Sequence, residues 1–352
     1  MKRRIAVVDV AAERGGALSV LIDFYNYIKL NDTSLTEWYF FLSVVDLKET
    51  EYIRVVKCPV AKRSWLSRLR WEIVDFPKFV IKYRITDIFS LQNKALPVRN
   101  IKQTVYFQNA LHFLKPTAFH FFDKTERKNF IYCLVVSPLV RHSLKRANLV
   151  ITQTNAMRDC LMKMTGISDK KVVAIYPIVN VGIHPGKNGI KGFMYPFSPE
   201  CYKRPEIIID AVQKAGSAFD GEIIFTMTGN ENSYAAKVKK ACEGIPNIRL
   251  TGYMEREKLL SYYEDYGLIF SSDVESFAIP FLEAMAYGSP IVAKDTDYAR
   301  ERVCVYNNYQ LYRDSDELAG MLIEYKKLRR GQGIFQENAA NAWGKVVEYL
   351  LS

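Results

Sequence analysis

Two carboxylates eight residues apart, Glu275 and Glu283, sit in the stretch LIFSSDVESFAIPFLEAMAYGSPIVA (268–293). An apolar run at 268–270 reads as a short strand, followed by a polar turn and a helix opening at Pro280. Gly288-Ser289-Pro290 then leads into a second buried strand, 291–293. Proline suits the first helical position, where its missing N–H costs nothing. Free backbone N–H groups around 277–281 would face the crevice at the strand's carboxyl end, where open α/β sheets take their ligands. The spacing therefore plans an anion site with one glutamate on each side. Such a site needs cations, and elements to carry them.

The elements alternate throughout the chain. A β-branched run at 4–10 precedes the pair Gly15-Gly16 and an amphipathic helical run at 18–30. Gly15 and Gly16 permit close approach of a phosphate or of another chain segment, and they equally suit a plain tight turn. Strands are expected at 38–45, 87–90, 104–107 and 149–152, with helices between them. The Gly- and Pro-rich stretch 176–192 reads as a hinge. Beyond it, strands at 193–197, 222–228 and 248–250 alternate with helices at 205–215, 234–242 and 255–263. The pattern gives two doubly wound domains, 1–178 and 179–334. A last helix, 338–351, carries Trp343, Val346, Val347, Leu350 and Leu351 on one side and is expected to pack back towards the N-terminal domain.

The 352 residues carry a formal charge of +11 with 49% hydrophobic and 25% charged residues, a globular balance with a bias towards anionic partners. Much of the excess lies in 54–84, where Trp65, Leu66, Leu69, Ile73, Phe76, Phe79 and Val80 recur at helical spacing among Arg and Lys. A basic helix with an aromatic face suits an anionic bilayer interface. It also suits a surface helix docked on its own domain. No nucleic-acid module accompanies it. Six scattered cysteines without metal-ligand spacing fit buried thiols in a reducing compartment. No signal peptide or spanning segment is evident. The expectation is a cytoplasmic chain, with peripheral attachment to the cytoplasmic face of the inner membrane through 54–84.

ESFAIPFLEAMAYGSPIVA resembles the E-x7-E signature of the retaining family 4 glycosyltransferases, and YPFSPECYKRPEIIIDAV and NIRLTGYMEREKLLSYYEDY are similar to the segments preceding it. The resemblance is close from about 193 to 303 and looser before that. It implies a GT-B fold, two Rossmann-like domains facing a cleft. It also implies transfer of a hexose from a nucleoside-diphosphate sugar, GDP-mannose-like or a UDP-sugar, to a glycan or lipid-linked acceptor in bacterial surface polysaccharide assembly. No metal or other cofactor is expected. Glu275 would face the donor sugar, and Phe277, Ala278 and Ile279 would complete its cradle. Glu283 would hold the ribose, Gly252 and Tyr253 the base, and Lys203, Arg204, Gly15 and Gly16 the diphosphate. Departures from the family pattern are Ser198, where an Arg is usual, and Ser276 and Ala278, where glycines are usual. Where many relatives place a histidine-containing acceptor segment this chain reads YFQNALHF, so Gln108, Asn109 and His112 are the acceptor candidates, with ordinary packing the favoured alternative for His112.

Two motifs are set aside. Asp295-Thr296-Asp297 matches the D-x-D of metal-dependent glycosyltransferases, but any D-x-D is common by chance, and PGKNG (185–189) echoes half a P-loop without the earlier glycine or the Ser/Thr after the lysine. The alternatives for the whole chain are another sugar-nucleotide enzyme of the same fold (an epimerase, phosphorylase or synthase) or a non-catalytic scaffold.

Overall fold

The computed structural model describes residues 2–13, 15–31, 36–177, 179, 181–184, 189–334 and 341–352. It divides into two compact units, each described by itself. Unit 1 comprises Met1–Phe113, Cys133–Ile178 and Ala339–Ser352, and unit 2 comprises Leu114–Tyr132 and Val179–Asn338.

Unit 1 is built on seven strands: β1 (Arg3–Val8), β2 (Thr36–Leu42), β3 (Ile53–Lys57), β4 (Asp87–Ser90), β5 (Lys102–Phe107), β6 (Leu149–Thr152) and β7 (Val172–Ala174). All neighbours pair in parallel, in the order β3-β2-β1-β4-β5-β6-β7. Ile5, Ala6, Val7 and Val8 are all fully buried, as both faces of a central parallel strand must be. The chain winds outward from β1 to β3 on one side and then from β4 to β7 on the other. The order therefore reverses between β1 and β4.

Unit 2 repeats the plan with β8 (Gly192–Tyr195), β9 (Glu222–Phe225), β10 (Ile248–Leu250), β11 (Gly267–Phe270), β12 (Ile291–Lys294) and β13 (Tyr309–Tyr312), in the order β10-β9-β8-β11-β12-β13. These pairs are parallel too, and the reversal falls between β8 and β11.

Leu114–Tyr132, which the sequence alternation leaves in the N-terminal domain, is tied into unit 2 by polar contacts. Arg204 donates to the Ala118 carbonyl at 2.6 Å, Lys237 pairs with Asp123 at 2.8 Å, and the Asn129 amide meets Cys201 Sγ at 3.1 Å. The final helix, Ala342–Leu351, belongs to unit 1. Val346 and Leu350 are 1% exposed in the core formed by Ile5, Leu21 and Phe24, and Trp343 packs 5.1 Å from Phe24 and 5.4 Å from Tyr106.

The segment 54–84 differs from the continuous basic helix expected. It opens as β3, because the β-branched IRVVK run pairs with β2, and only then turns helical: Trp65–Arg70, a wide turn Trp71–Asp75 and Phe76–Lys82. Its apolar residues divide. Trp71, Phe76 and Val80 are buried against β2 residues Tyr39 and Phe41, whereas Trp65, Leu66 and Ile73 are more than half exposed. Residues 178, 180 and 185–188 of the expected hinge, the last four within PGKNG, lie outside the described residues. Strands β7 and β13 were not expected; at three and four residues they are too short to show a period.

Removing the Leu350 side chain should leave a cavity in unit 1. Leu350→Ala is expected to lower unfolding stability by about 3 kcal/mol, read as a shift in the urea midpoint.

Candidate active site

At the reversal in unit 2, the connections after β8 and β11 leave on opposite faces and open a crevice. The connection after β8 delivers Lys203 on a single tight turn, Cys201–Lys203. Its position is fixed through its own carbonyl, which accepts from the Tyr195 hydroxyl at 2.7 Å and from the Ser271 hydroxyl at 2.8 Å. Tyr195 is completely buried on β8 and Ser271 directly follows β11, so both edges of the crevice hold one lysine. The loop after β11 is set the same way. Tyr298 donates to the Ser272 carbonyl at 2.6 Å, Tyr312 to the Phe270 carbonyl at 3.1 Å, and the Asp273 N–H to the Tyr202 carbonyl at 2.8 Å. A buried tyrosine needs one partner for its hydroxyl, and here each supplies a donor to a carbonyl in the loop or at the strand end that leads into it.

These supports bring Lys203 and Glu275 into contact. The ammonium pairs with Glu275 Oε1, with both side chains about seven-eighths buried, and lies 5.5 Å from the Tyr202 ring centroid. A pair so shielded is held at far higher Coulomb energy than a surface pair, and each charge depends on the other. An arriving diphosphate would meet a localised cation, and a sugar a localised carboxylate.

Arg204 is differently employed. It adopts a left-handed backbone conformation (φ 50°), and its guanidinium binds Asp273 at 2.6 Å, approaches Glu126 at 3.8 Å and donates to Ala118 O. In this structure it ties loops together instead of presenting itself to an anion. Asp273 also takes Lys294, from the end of β12. Asp273 and Lys294 were missed in the sequence. A carboxylate two residues before Glu275 and a lysine closing the neighbouring strand were the available signals.

Glu283 lies on the helix Ile279–Ala286, which begins one residue earlier than expected and puts Pro280 second. The carboxyl is 5% exposed; burial raises its pKa, and Arg256, 3.4 Å away, opposes that shift. The helix has no side-chain cap, and its preceding residue, Ala278, is left-handed at φ 54°. In its first turn Pro280 has no N–H, and the Phe281 N–H bonds to the Ala278 carbonyl at 3.1 Å. Phe277 and Ala278 are each 6% exposed, and Ile279 is 41% exposed. Gly252 follows β10 at φ 76°, its N–H bonded to the Met227 carbonyl at 3.0 Å, and Tyr253 beside it is 81% exposed. Asp295 holds Arg300 through two bonds of 2.6 and 2.7 Å, and Thr296 caps the helix Asp297–Val303, so the D-x-D is built into a helix start.

In unit 1, Gly15 and Gly16 open the helix Gly15–Asn31 with their Cβ positions facing open space. Gln108 and Asn109 follow β5, and their N–H groups both donate to Asn93 Oδ1, at 2.6 and 2.9 Å. The Gln108 side-chain amide donates to the Leu91 carbonyl at 3.1 Å. His112 is 1% exposed and bonded to Ser137 at 3.1 Å; burial, with Arg141 nearby, lowers its pKa to about 4. It is a neutral packing residue, turned away from solvent.

Comparison with known proteins bears on the fold and the class of enzyme. Residues 185–341 match the family described as Glycosyl transferases group 1. The O-antigen chain mannosyltransferase RfbU of Salmonella typhimurium is 22% identical over 269 residues, 73% of this chain and 71% of that protein. HepE of Anabaena, solved with UDP and glucose, superposes with a TM-score of 0.67 at 17% identity, covering 99% of both chains. The lipopolysaccharide outer core galactosyltransferase WaaB gives 0.61 at 14% identity, again over 99% of both. The chain is a glycosyltransferase of the GT-B fold. The residues that match the group 1 family span most of unit 2 and include Lys203, Glu275 and Glu283.

Ala278 at positive φ carries a strain that glycine would not. Ala278→Gly is expected to raise stability by about 1 kcal/mol, measured by chemical denaturation; an unchanged or lower stability would mean the loop holds no such strain.

Proposed function

We propose that the enzyme is a retaining transferase of the family 4 type, moving a hexose from a GDP- or UDP-sugar to a glycan or lipid-linked saccharide in bacterial surface polysaccharide assembly. The observation that carries this is the shielded Lys203–Glu275 pair at the strand reversal of unit 2, with buried Glu283 on the helix that follows. The mannosyl and galactosyl transferases similar to this chain, both named for surface saccharides, support the acceptor class.

In this reading Lys203 leaves Glu275 for the donor diphosphate and stabilises the charge that develops as the glycosidic bond breaks. The uncapped N–H groups before Pro280 add to that stabilisation. Glu275, released from its lysine, accepts from the sugar hydroxyls and lies beside the developing positive charge. Glu283 accepts from the ribose hydroxyls, with Gly252 and Tyr253 near the base. No metal step is invoked. Positioning, not nucleophilic attack, is the role assigned to Glu275.

Lys203→Ala is expected to weaken UDP or GDP binding by about tenfold to a hundredfold, read by titration calorimetry. Glu275→Ala should keep nucleotide binding and lose at least about a hundredfold in transfer. Full transfer by both variants would overturn the assignment. A sugar nucleotide consumed equally without any acceptor would favour an epimerase.

We also propose peripheral attachment at the cytoplasmic membrane face through the exposed residues Trp65, Leu66, Leu69 and Ile73, flanked by Arg63, Arg70 and Lys78. The described residues include no helix long and apolar enough to cross a membrane. Replacing those four apolar residues with serine should abolish co-sedimentation with phosphatidylglycerol vesicles, while neutral phosphatidylcholine vesicles should pellet neither form. Equal pelleting of wild type and variant with the anionic vesicles would sink this proposal.

A further inference from the structure

The strand reversal of unit 1, between β1 and β4, carries buried polar groups that the donor chemistry leaves unused. Asp9 directly follows β1. Its N–H bonds to the Phe41 carbonyl at 3.1 Å, and its Oδ1 accepts from the Ala12 N–H at 3.2 Å. The residue is 1% exposed, yet Oδ2 has no hydrogen-bond partner among the described residues. Gln92 lies two residues beyond β4, next to Leu91, whose N–H closes the last bond to β1 at the Val8 carbonyl, 3.0 Å. Gln92 is 7% exposed, and its Nε2 also lacks a partner. Arg68 links the two sites: its guanidinium donates to Gln92 Oε1 at 2.7 Å, and its charge acts on Asp9. Glu72 completes the cluster, binding Arg68 at 3.2 Å and Lys94 at 2.6 Å.

A polar atom shielded from water without a partner is destabilising, and these two, beside the ends of adjacent strands and both next to Arg68, leave hydrogen-bonding capacity for a ligand. Their polarity defines it. A carboxylate oxygen turns away phosphate and other anions. An amide N–H beside Arg68 turns away cations, and no group of three or more metal-ligating side chains occurs among the described residues. What satisfies both is a ligand carrying several hydroxyls, since each hydroxyl can donate and accept. Burial pushes the Asp9 carboxyl up to about 7, against the pull of the Ala12 N–H, of Arg68 and of the Ala11 N–H. A hydroxyl pairs with it in either protonation state.

We propose that Asp9 and Gln92 form a saccharide-hydroxyl subsite for the acceptor, at the carboxyl end of β1 and β4. This rests on the glycosyl-transfer reading above and moves the acceptor contacts from Gln108, whose amide is spent on Leu91, to its neighbours across the sheet. A desolvated acceptor and donor of this kind discriminate strongly against ligands that lack the hydroxyl.

The test uses saturation-transfer NMR of the full chain with the methyl glycosides of mannose, galactose, glucose and N-acetylglucosamine. Asp9→Asn and Gln92→Glu each replace the unpartnered atom with one of opposite hydrogen-bonding character while keeping size and a group for the existing bond. Wild type is expected to bind at least one glycoside, and each variant to bind it about tenfold more weakly, with UDP and GDP titrations unchanged. Thermal melting confirms that the variants fold, and either variant alone suffices. Binding of no glycoside, or equal binding by wild type and variants, would overturn the subsite and leave the two atoms to internal water. Loss of nucleotide binding in the wild type would instead sink the transferase reading, with the glycoside signal still readable.

Discussion

A parallel sheet wound outward in two directions from its middle must send two adjacent connections to opposite faces. The gap between them is a property of topology, not of any side chain. Both units obey this constraint, at β1/β4 and at β8/β11. Everything with chemical character in unit 2 stands around that gap: Lys203 after β8, Asp273 and Glu275 after β11, and Lys294 at the end of β12. The neighbouring helix brings Glu283. The sheet needs its apolar strands for its own stability, and the gap comes with them.

A gap lined by charges would still be imprecise without a rigid frame. In unit 2 the frame is made of tyrosines. Tyr195, Tyr298 and Tyr312 are buried to within a few per cent, and each uses its hydroxyl on a carbonyl of the loops that bear the charged residues or of the strand end that leads into one. The aromatic bodies belong to the core and the hydroxyls to the site, so the packing of the domain and the aim of Lys203 are the same event. The Lys203–Glu275 pair then keeps both charges extended towards each other until something better bonded separates them.

The parts of this that could be read from sequence were those with a period or a punctuation mark. Four-residue β-branched runs and glycine-proline breaks located most strands, and the spacing of Glu275 and Glu283 located the site. The helix entry was read one residue late, because Ala278 takes a left-handed conformation that the sequence does not advertise. Arg204 looked like a second phosphate ligand because charge alone was visible; its partners, Asp273, Glu126 and the Ala118 carbonyl, come from distant positions. His112 could be read either as an acceptor contact or as packing, and its burial against Ser137 fits the second. Asp9 drew no notice at all, since an aspartate ending a strand is unremarkable until its burial is known.

The helix Ala342–Leu351 shares a core with Ile5 and Val7 of the first strand, and Lys102 donates to the Tyr349 carbonyl at 3.3 Å. Synthesis runs from the N-terminus, so the core that Ile5 and Val7 share with Leu21 and Phe24 is completed only when this much later helix emerges. Unit 2, whose longer segment closes at Asn338, has all its residues on hand sooner. On the ribosome, the half of the enzyme encoded second can therefore finish folding first, while the half encoded first remains open to chaperones and proteases.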